Sequence, residues 1–338
     1  MILNPLFYIR KYLEHKAIVL MYHRIANSQA DVWDIAVSPE NLDQHLKFLK
    51  KTRRVLPLDE LVKEVRNHSI KKNGIAITFD DGYADNFYSA KPLLEKYDLP
   101  ATFFIPTINI GQSKEFWWDE LENIILYKET LPSCINFNVH DIKIEFDLGK
   151  EIELNAEIIS IQLRWKAYEE PPPTLRCHVF LTIWEALKPL CDEQQQEYLK
   201  KIRNWAGCNI SARPEYLCMS VEQLKRLGEN NLFDIQAHSA SHAALAFHDK
   251  SFQEKELLEN KIFLEKSLNK SIEMIAYPYG SYNTDTINAA IGGGYTSAFT
   301  TDEETVINKT QLYRIGRFQV KNQGAIKFEE SLERWLTM

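Results

Sequence analysis

Nowhere do the 338 residues run through the roughly 20 consecutive apolar side chains that crossing a bilayer as a helix requires. The opening stretch is broken by Arg10, Lys11, Glu14, His15 and Lys16. It lacks the uninterrupted apolar core and small-residue cleavage site of a secretory leader, which sets a cytoplasmic location as the expectation. Leu3, Leu6, Phe7 and Leu13 fall on overlapping faces of a short helix over 3–13. Packing on the body is the expectation for it, with peripheral membrane contact the alternative. An excess of positive charge is also missing: 40 Lys plus Arg stand against 47 Asp plus Glu, a formal net charge of −7. That excludes a nucleic-acid binder relying on a bulk positive field. The five cysteines, Cys134, Cys177, Cys191, Cys208 and Cys218, form no CxxC pair and are odd in number, so neither a disulfide framework nor a structural zinc finger is expected. No internal repeat is present.

What remains is the composition of an ordinary folded chain, 45% hydrophobic and 26% charged. After residue 16 strand patterns alternate with helix patterns, the signature of βα units around a parallel sheet. Residues 17–22 (AIVLMY), 74–79 (GIAITF) and 101–105 (ATFFI) read as buried strands, and further strands are expected at 233–237, 272–277, 295–300 and 312–319. Ser38-Pro39 opens a helix to about Lys51, and Ser220 with Gln223 forms a capping box. Residues 112–215 differ in character, with five of the seven tryptophans and the run Pro171-Pro172-Pro173. They read as an inserted subdomain between two parts of one domain, 1–111 and 216–338. Within it, DIKIEFDL and EIELNAEI around Gly149-Lys150 suggest a hairpin, and 174–206 suggest two helices divided near Pro189.

Three constellations carry chemistry, each at the carboxyl end of an expected strand, where parallel α/β barrels place their sites. In Thr78-Phe79-Asp80-Asp81-Gly82 two adjacent carboxylates repel each other and are costly to bury without a cation or hydrogen bonds. A bound metal would take one Asp as ligand and leave the other to accept a proton. A plain turn is the alternative. In His238-Ser239-Ala240-Ser241-His242, two imidazoles four apart can converge on one ion, and a carboxylate from another strand would complete the set. In Ala276-Tyr277-Pro278-Tyr279-Gly280, Pro and Gly fix a tight backbone that could aim the Tyr279 amide at an oxyanion, while the rings line a sugar-sized pocket.

TFDDG followed by HSxSH, over 17–111 and 216–320, resembles the polysaccharide deacetylases of the NodB homology group, carbohydrate esterase family four, in the branch with a YPYG-type third motif. The resemblance implies a distorted (β/α) barrel and metal-dependent removal of an N-acetyl group from an amino sugar. By position it implies Asp80 as catalytic base, and Asp81, His238 and His242 as ligands of a divalent metal, usually zinc. It also implies the Tyr279 amide as oxyanion donor. Two departures stand out. The Arg that commonly opens the third motif is replaced by Ala276, for which Arg314 or Arg317 is a substitute, and the late Leu-x-His motif is absent. His23, closing the first strand in Met21-Tyr22-His23-Arg24, is therefore the expected general acid, with a structural strand-end His as the alternative. Tyr277, Trp117, Trp118 and Arg314 are expected to bind the sugar, the tryptophans by stacking. The substrate is expected to be an N-acetyl amino sugar in a polysaccharide, an oligosaccharide or a lipid- or nucleotide-linked intermediate. Rival readings are a sugar O-acetyl esterase and a non-catalytic carbohydrate-binding relative.

Overall fold

A computed structural model describes residues 15–208 and 211–338; the helix expected over 3–13 lies outside them. The first strand, β1 (Ala17–Tyr22), is buried throughout. It is followed by helix α1 (Pro39–Thr52), whose N-cap Ser38 accepts from the Asn41 N–H. Then come β2 (Arg54–Val55), α2 (Leu58–Arg66) and β3 (Gly74–Asp80). A wide helical turn over 86–90 runs into α3 (Lys91–Tyr97), and β4 (Ala101–Ile105) completes the βαβ unit.

The middle of the chain holds α4 (Trp117–Glu122), an antiparallel hairpin of β5 (Cys134–Val139) and β6 (Ile142–Asp147), and α5 (Ala156–Gln162). Two longer helices follow, α6 (Leu175–Leu187) and α7 (Asp192–Ala206), on either side of Pro189. The hairpin departs from the sequence expectation by one strand. Its turn is at His140-Asp141, with His140 left-handed at φ 50°, and Gly149-Lys150 begins a short helical turn instead. EIELNAEI therefore leads into α5, because Asn155 caps a helix there by accepting from the Ile158 N–H.

The remaining elements are α8 (Val221–Gly228), β7 (Phe233–Ala237), α9 (Lys250–Leu268), β8 (Met274–Ala276), α10 (Thr284–Gly292), β9 (Ser297–Phe299), β10 (Phe318–Gln319) and α11 (Ala325–Thr337). Seven strands form one sheet in the order β9-β8-β7-β4-β3-β1-β10, every neighbour parallel, with β2 added beside β3. The sheet curls until its edges nearly meet, for an isolated parallel bridge joins Phe299 to Ile315 just before β10. This is the distorted α/β barrel expected from the motifs.

Alternation along the strands divides the core in two. Ala17, Val19, Ala76, Phe104, Ala276, Phe299 and Ile315 fill the lumen, joined by Leu58, Leu61, Val62 and Val65 of α2. Ile18, Leu20, Ile75, Ile77, Phe103 and Ile235 face the surrounding helices. Asp80 continues the lumen-facing row of Ala76 and Thr78, and Arg317 that of Ile315. Two charged side chains are thus carried to the carboxyl mouth of the barrel.

Candidate active site

At that mouth six strand ends converge. Register sets Tyr22 beside Phe79, so His23 follows β1 next to Asp80 and Asp81 at the end of β3. Ile105 pairs with Ala237, Ala237 with Ile275, and Ala276 with Phe299, which brings His238 and Tyr277 into the same ring. A cavity of about 320 Å³ lies over them, lined by His23, Asp80, Asp81, His238, His242, Tyr277 and Tyr279.

Asp80 is 1% exposed, and its solvation is replaced by Arg317, which is fully buried. The guanidinium donates from Nη1 to Oδ1 at 2.8 Å and from Nη2 to Oδ2 at 2.7 Å. Two further hydrogens go to Thr300 O and Thr78 Oγ1, so the fork is fixed in place. Burial pushes the Asp80 carboxyl up, but the Arg317 charge outweighs it and holds the group below the usual carboxylate range. The substitute for the missing third-motif Arg is therefore Arg317. Arg314 is not part of the site: it is exposed and donates to the Tyr282 hydroxyl, outside the cavity lining. One residue-pair of chain turns Arg314 outward and Arg317 into the lumen.

Asp81, His238 and His242 present one ligand atom each, all within 4.8 Å of one another. Asp81 Oδ1 lies 3.1 Å from His242 Nε2 and 3.5 Å from His238 Nε2, yet it is buried without a hydrogen-bond partner. His238 Nδ1 donates to the Ala276 carbonyl at 2.7 Å, which fixes the tautomer and leaves Nε2 with its lone pair toward Asp81. One carboxylate with an unpartnered oxygen and two imidazoles converging on it fit a divalent cation. Burial also depresses the His242 pKa, favouring the neutral ring a metal requires.

The backbone here is held in uncommon conformations. Asp81 (φ 72°), Ser239 (57°), His242 (57°) and Tyr279 (57°) are all left-handed without being glycine. Such residues cost of order 1–3 kcal/mol each and persist only where surroundings enforce them. The enforcing contacts are visible: Glu256 accepts from the Ser241 N–H and Oγ, and Asn260 donates to Ser239 O and Ile105 O. The turn at 278–280 is closed by Gly280 N–H to Tyr277 O and Ser281 N–H to Pro278 O, which does not use the Tyr279 amide.

The rings expected to bind sugar separate. Trp118 lines the cavity, 4.8 Å from the His242 ring, and its Nε1 donates to the Tyr83 hydroxyl. Trp117 is not a lining residue; as the next residue of a helix it points elsewhere and packs on Trp184 at 6.2 Å. Tyr277 is buried with its ring stacked on Tyr282 at 5.2 Å. His23 has a buried Nδ1 with no partner, and its carbonyl accepts from Asn86. Lining residues that escaped the sequence reading include Trp33, Tyr168, Trp184 and Lys188, whose Nζ sits 4.9 Å and 4.8 Å from the Trp184 and Tyr279 ring centres. Trp33 was findable, since it lies in the loop leaving β1 on the site's face. The others depend on how residues 165–188 dock, through Ala167 N–H to Val32 O and Lys166 to Asp31 O.

A family model for polysaccharide deacetylases matches residues 67–126 and 194–298. Poly-beta-1,6-N-acetyl-D-glucosamine N-deacetylases of Staphylococcus epidermidis and Staphylococcus aureus are 20% and 22% identical, covering 96% of this chain and 85% and 84% of those proteins. Among solved structures, IcaB from Ammonifex degensii superposes with a TM-score of 0.57 at 15% identity, covering 96% of this chain and 98% of that one. The Streptococcus pyogenes deacetylase PplD in complex with acetate gives 0.53 at 20% identity, covering 96% and 99%. The model's two stretches carry Asp80-Asp81 and His238–His242, so the motifs at this site are the ones the chain shares with the polysaccharide deacetylase family.

Proposed function

We propose that the chain is a carbohydrate N-deacetylase that hydrolyses the acetamide of an amino sugar, with Asp80 as general base and Asp81, His238 and His242 holding a divalent metal. The observation that supports this most strongly is the division of labour between adjacent carboxylates. Asp80 is neutralised by Arg317, while Asp81 is left to the two imidazoles. When bound, a divalent cation, usually zinc in this family, supplies Lewis-acid stabilisation of charge developing on the acetyl oxygen. Asp80, ionised at neutral pH, accepts a proton as the water oxygen bonds to the carbonyl carbon. The Tyr279 N–H, unused by its turn, is the donor this reading assigns to the oxyanion. His23 gives a proton to the nitrogen as the C–N bond breaks, leaving acetate and a free amine. Its position in the cavity lining, beside Asp80 and Asp81, supports that role over a structural one.

The test is product analysis on N-acetylated and O-acetylated glucosamine oligosaccharides. Free amine accumulating with acetate from the first supports the reading. Acetate only from the second makes the enzyme an O-acetyl esterase. Acid catalysis by His23 predicts that His23→Ala lowers turnover at saturating substrate by about 10²- to 10⁴-fold; near-normal turnover removes that role.

A further inference from the structure

The two imidazoles of the site are held by different means. His238 is fixed through its Nδ1, which donates to the Ala276 carbonyl. His242 turns Nε2 toward Asp81 Oδ1 at 3.1 Å, and its buried Nδ1 meets no hydrogen-bond partner among the described residues. The outer torsion of a histidine side chain is broad, so an imidazole without a bond on its far nitrogen keeps its angle only through what packs on it. Metal-ligating histidines ordinarily have such a bond, and its loss costs about 10- to 100-fold in metal affinity.

What packs on His242 is a box of rings. Centre to centre, Tyr279 stands 4.5 Å away, Trp118 4.8 Å and Phe116 6.1 Å, all steeply inclined to the imidazole. Trp118 is held in turn. Phe116 stacks on it at 4.3 Å with the planes 9° from parallel. Its Nε1 donates at 3.2 Å to the Tyr83 hydroxyl, which donates at 2.7 Å to Asp119 Oδ2. Arg213 donates to the Asp119 carbonyl, and the Arg24 guanidinium lies over the Tyr83 ring at 4.9 Å. Tyr83, Trp118 and Asp119 are all buried. A chain of hydrogen bonds shielded from water is stiff, so deleting one hydroxyl is felt at its end. Tyr83 also lies two residues beyond Asp81, while α4 supplies Trp118 and Asp119 from the middle of the chain. One tyrosine thereby sets the Asp81 loop and the His242 ring relative to each other.

We propose that Trp118, held by Tyr83 and Asp119, is the positioning residue of His242 and does for that ligand what the Ala276 carbonyl does for His238. With one face on Phe116 and its polar edge on Tyr83, Trp118 serves the ligand set rather than a sugar ring. The inference rests on the metal-dependent deacetylase reading for what the ligands hold, but the restraint on the ring has a readout that needs neither metal nor substrate.

The experiment measures zinc affinity by competition with a chromophoric chelator, beside kcat and KM at saturating zinc for an N-acetylglucosamine pentasaccharide. Wild type is compared with Tyr83→Phe, Trp118→Phe, Trp118→Ala and Trp165→Ala. Tyr83→Phe, which deletes a single hydroxyl, is expected to weaken zinc binding about 2- to 10-fold, and Trp118→Ala about 10- to 100-fold. Trp118→Phe keeps a ring against the imidazole and recovers most of that loss. KM at saturating zinc stays at the wild-type value throughout. Trp165→Ala removes another buried indole, one bonded to Glu170 O and packed on Phe180 outside the cavity lining, and leaves zinc affinity unchanged. Wild-type zinc affinity in Tyr83→Phe overturns the proposal even if Trp118→Ala fails to fold. So does a raised KM at wild-type affinity in Trp118→Phe, or a loss in Trp165→Ala equal to that in Trp118→Ala. Should wild type bind no zinc, the metal-dependent reading fails and NMR of the apo chain decides. One narrow set of His242 ring signals that splits or broadens in Tyr83→Phe keeps the positioning role, and a set equally narrow in both refutes it.

Discussion

Arg317 and Asp80 show how one residue pair sets the chemistry of the site. A carboxylate 1% exposed is expensive to ionise, and the fully buried guanidinium compensates with two parallel hydrogen bonds. Removing it in Arg317→Ala leaves an uncompensated buried charge, so we expect a loss of about 3–5 kcal/mol of stability along with activity. Thermal or denaturant unfolding of the variant measures it. Arg317→Lys keeps the charge but not the fork, and should recover only part of both. The sequence announced Asp80, Asp81, His238 and His242 because adjacent carboxylates and spaced imidazoles at strand ends have few structural explanations. It could not choose between Arg314 and Arg317, three residues apart, because that choice depends on which side chain faces the lumen where the barrel edges meet. Trp117 and Trp118 were indistinguishable for the same reason: one helix step decides which ring reaches the cavity.

Among the elements, the turn after β8 is built with least tolerance. Gly280 has φ 63°, and a Cβ there would stand 2.1 Å from Thr301 Oγ1. Gly280→Ala therefore combines backbone strain with a clash and should cost at least about 1–3 kcal/mol while displacing the Tyr279 amide, read as a drop in kcat alongside a lowered melting temperature. Helix α4 carries a different burden. Burial, reinforced by nearby Asp119, pushes the Glu122 carboxyl up to about 8, whereas its unfolded value is near 4.5. The folded state then binds more protons than the unfolded one, so this residue makes stability fall as pH rises toward 8. His45 and His242, whose pKa values are depressed by burial, act oppositely, but only below the ordinary histidine value of 6.5. Between about pH 6.5 and 8 the slope should be negative, with Asp119, which burial raises to about 7, adding to it, and Glu122→Gln should reduce it, as unfolding measured across that range will show. Strands β1, β3 and β4 were legible as continuous apolar runs. The β5–β6 hairpin was misplaced because its turn uses a left-handed His140 rather than the glycine that marked the wrong position.

Over the whole molecule, a curled parallel sheet explains why distant segments meet. TFDDG and HSxSH are separated by more than a hundred residues in sequence, yet β4 alone stands between β3 and β7. That much followed from the alternation of strands and helices. The wall formed by Trp33, Tyr168, Trp184 and Lys188 did not, since periodicity within residues 112–215 says nothing of where those helices dock on the barrel. The central claim is that buried Asp81, His238 and His242 hold a metal on which acetamide hydrolysis by Asp80 depends. The most direct test measures metal content and acetate release together, in wild type, Asp80→Asn and His242→Ala, before and after chelation and reloading with zinc. The account predicts about one metal per wild-type chain, activity lost on chelation and restored by zinc, metal retained without activity in Asp80→Asn, and both lost in His242→Ala. Full acetate release from the chelated wild type, or from Asp80→Asn, would contradict it.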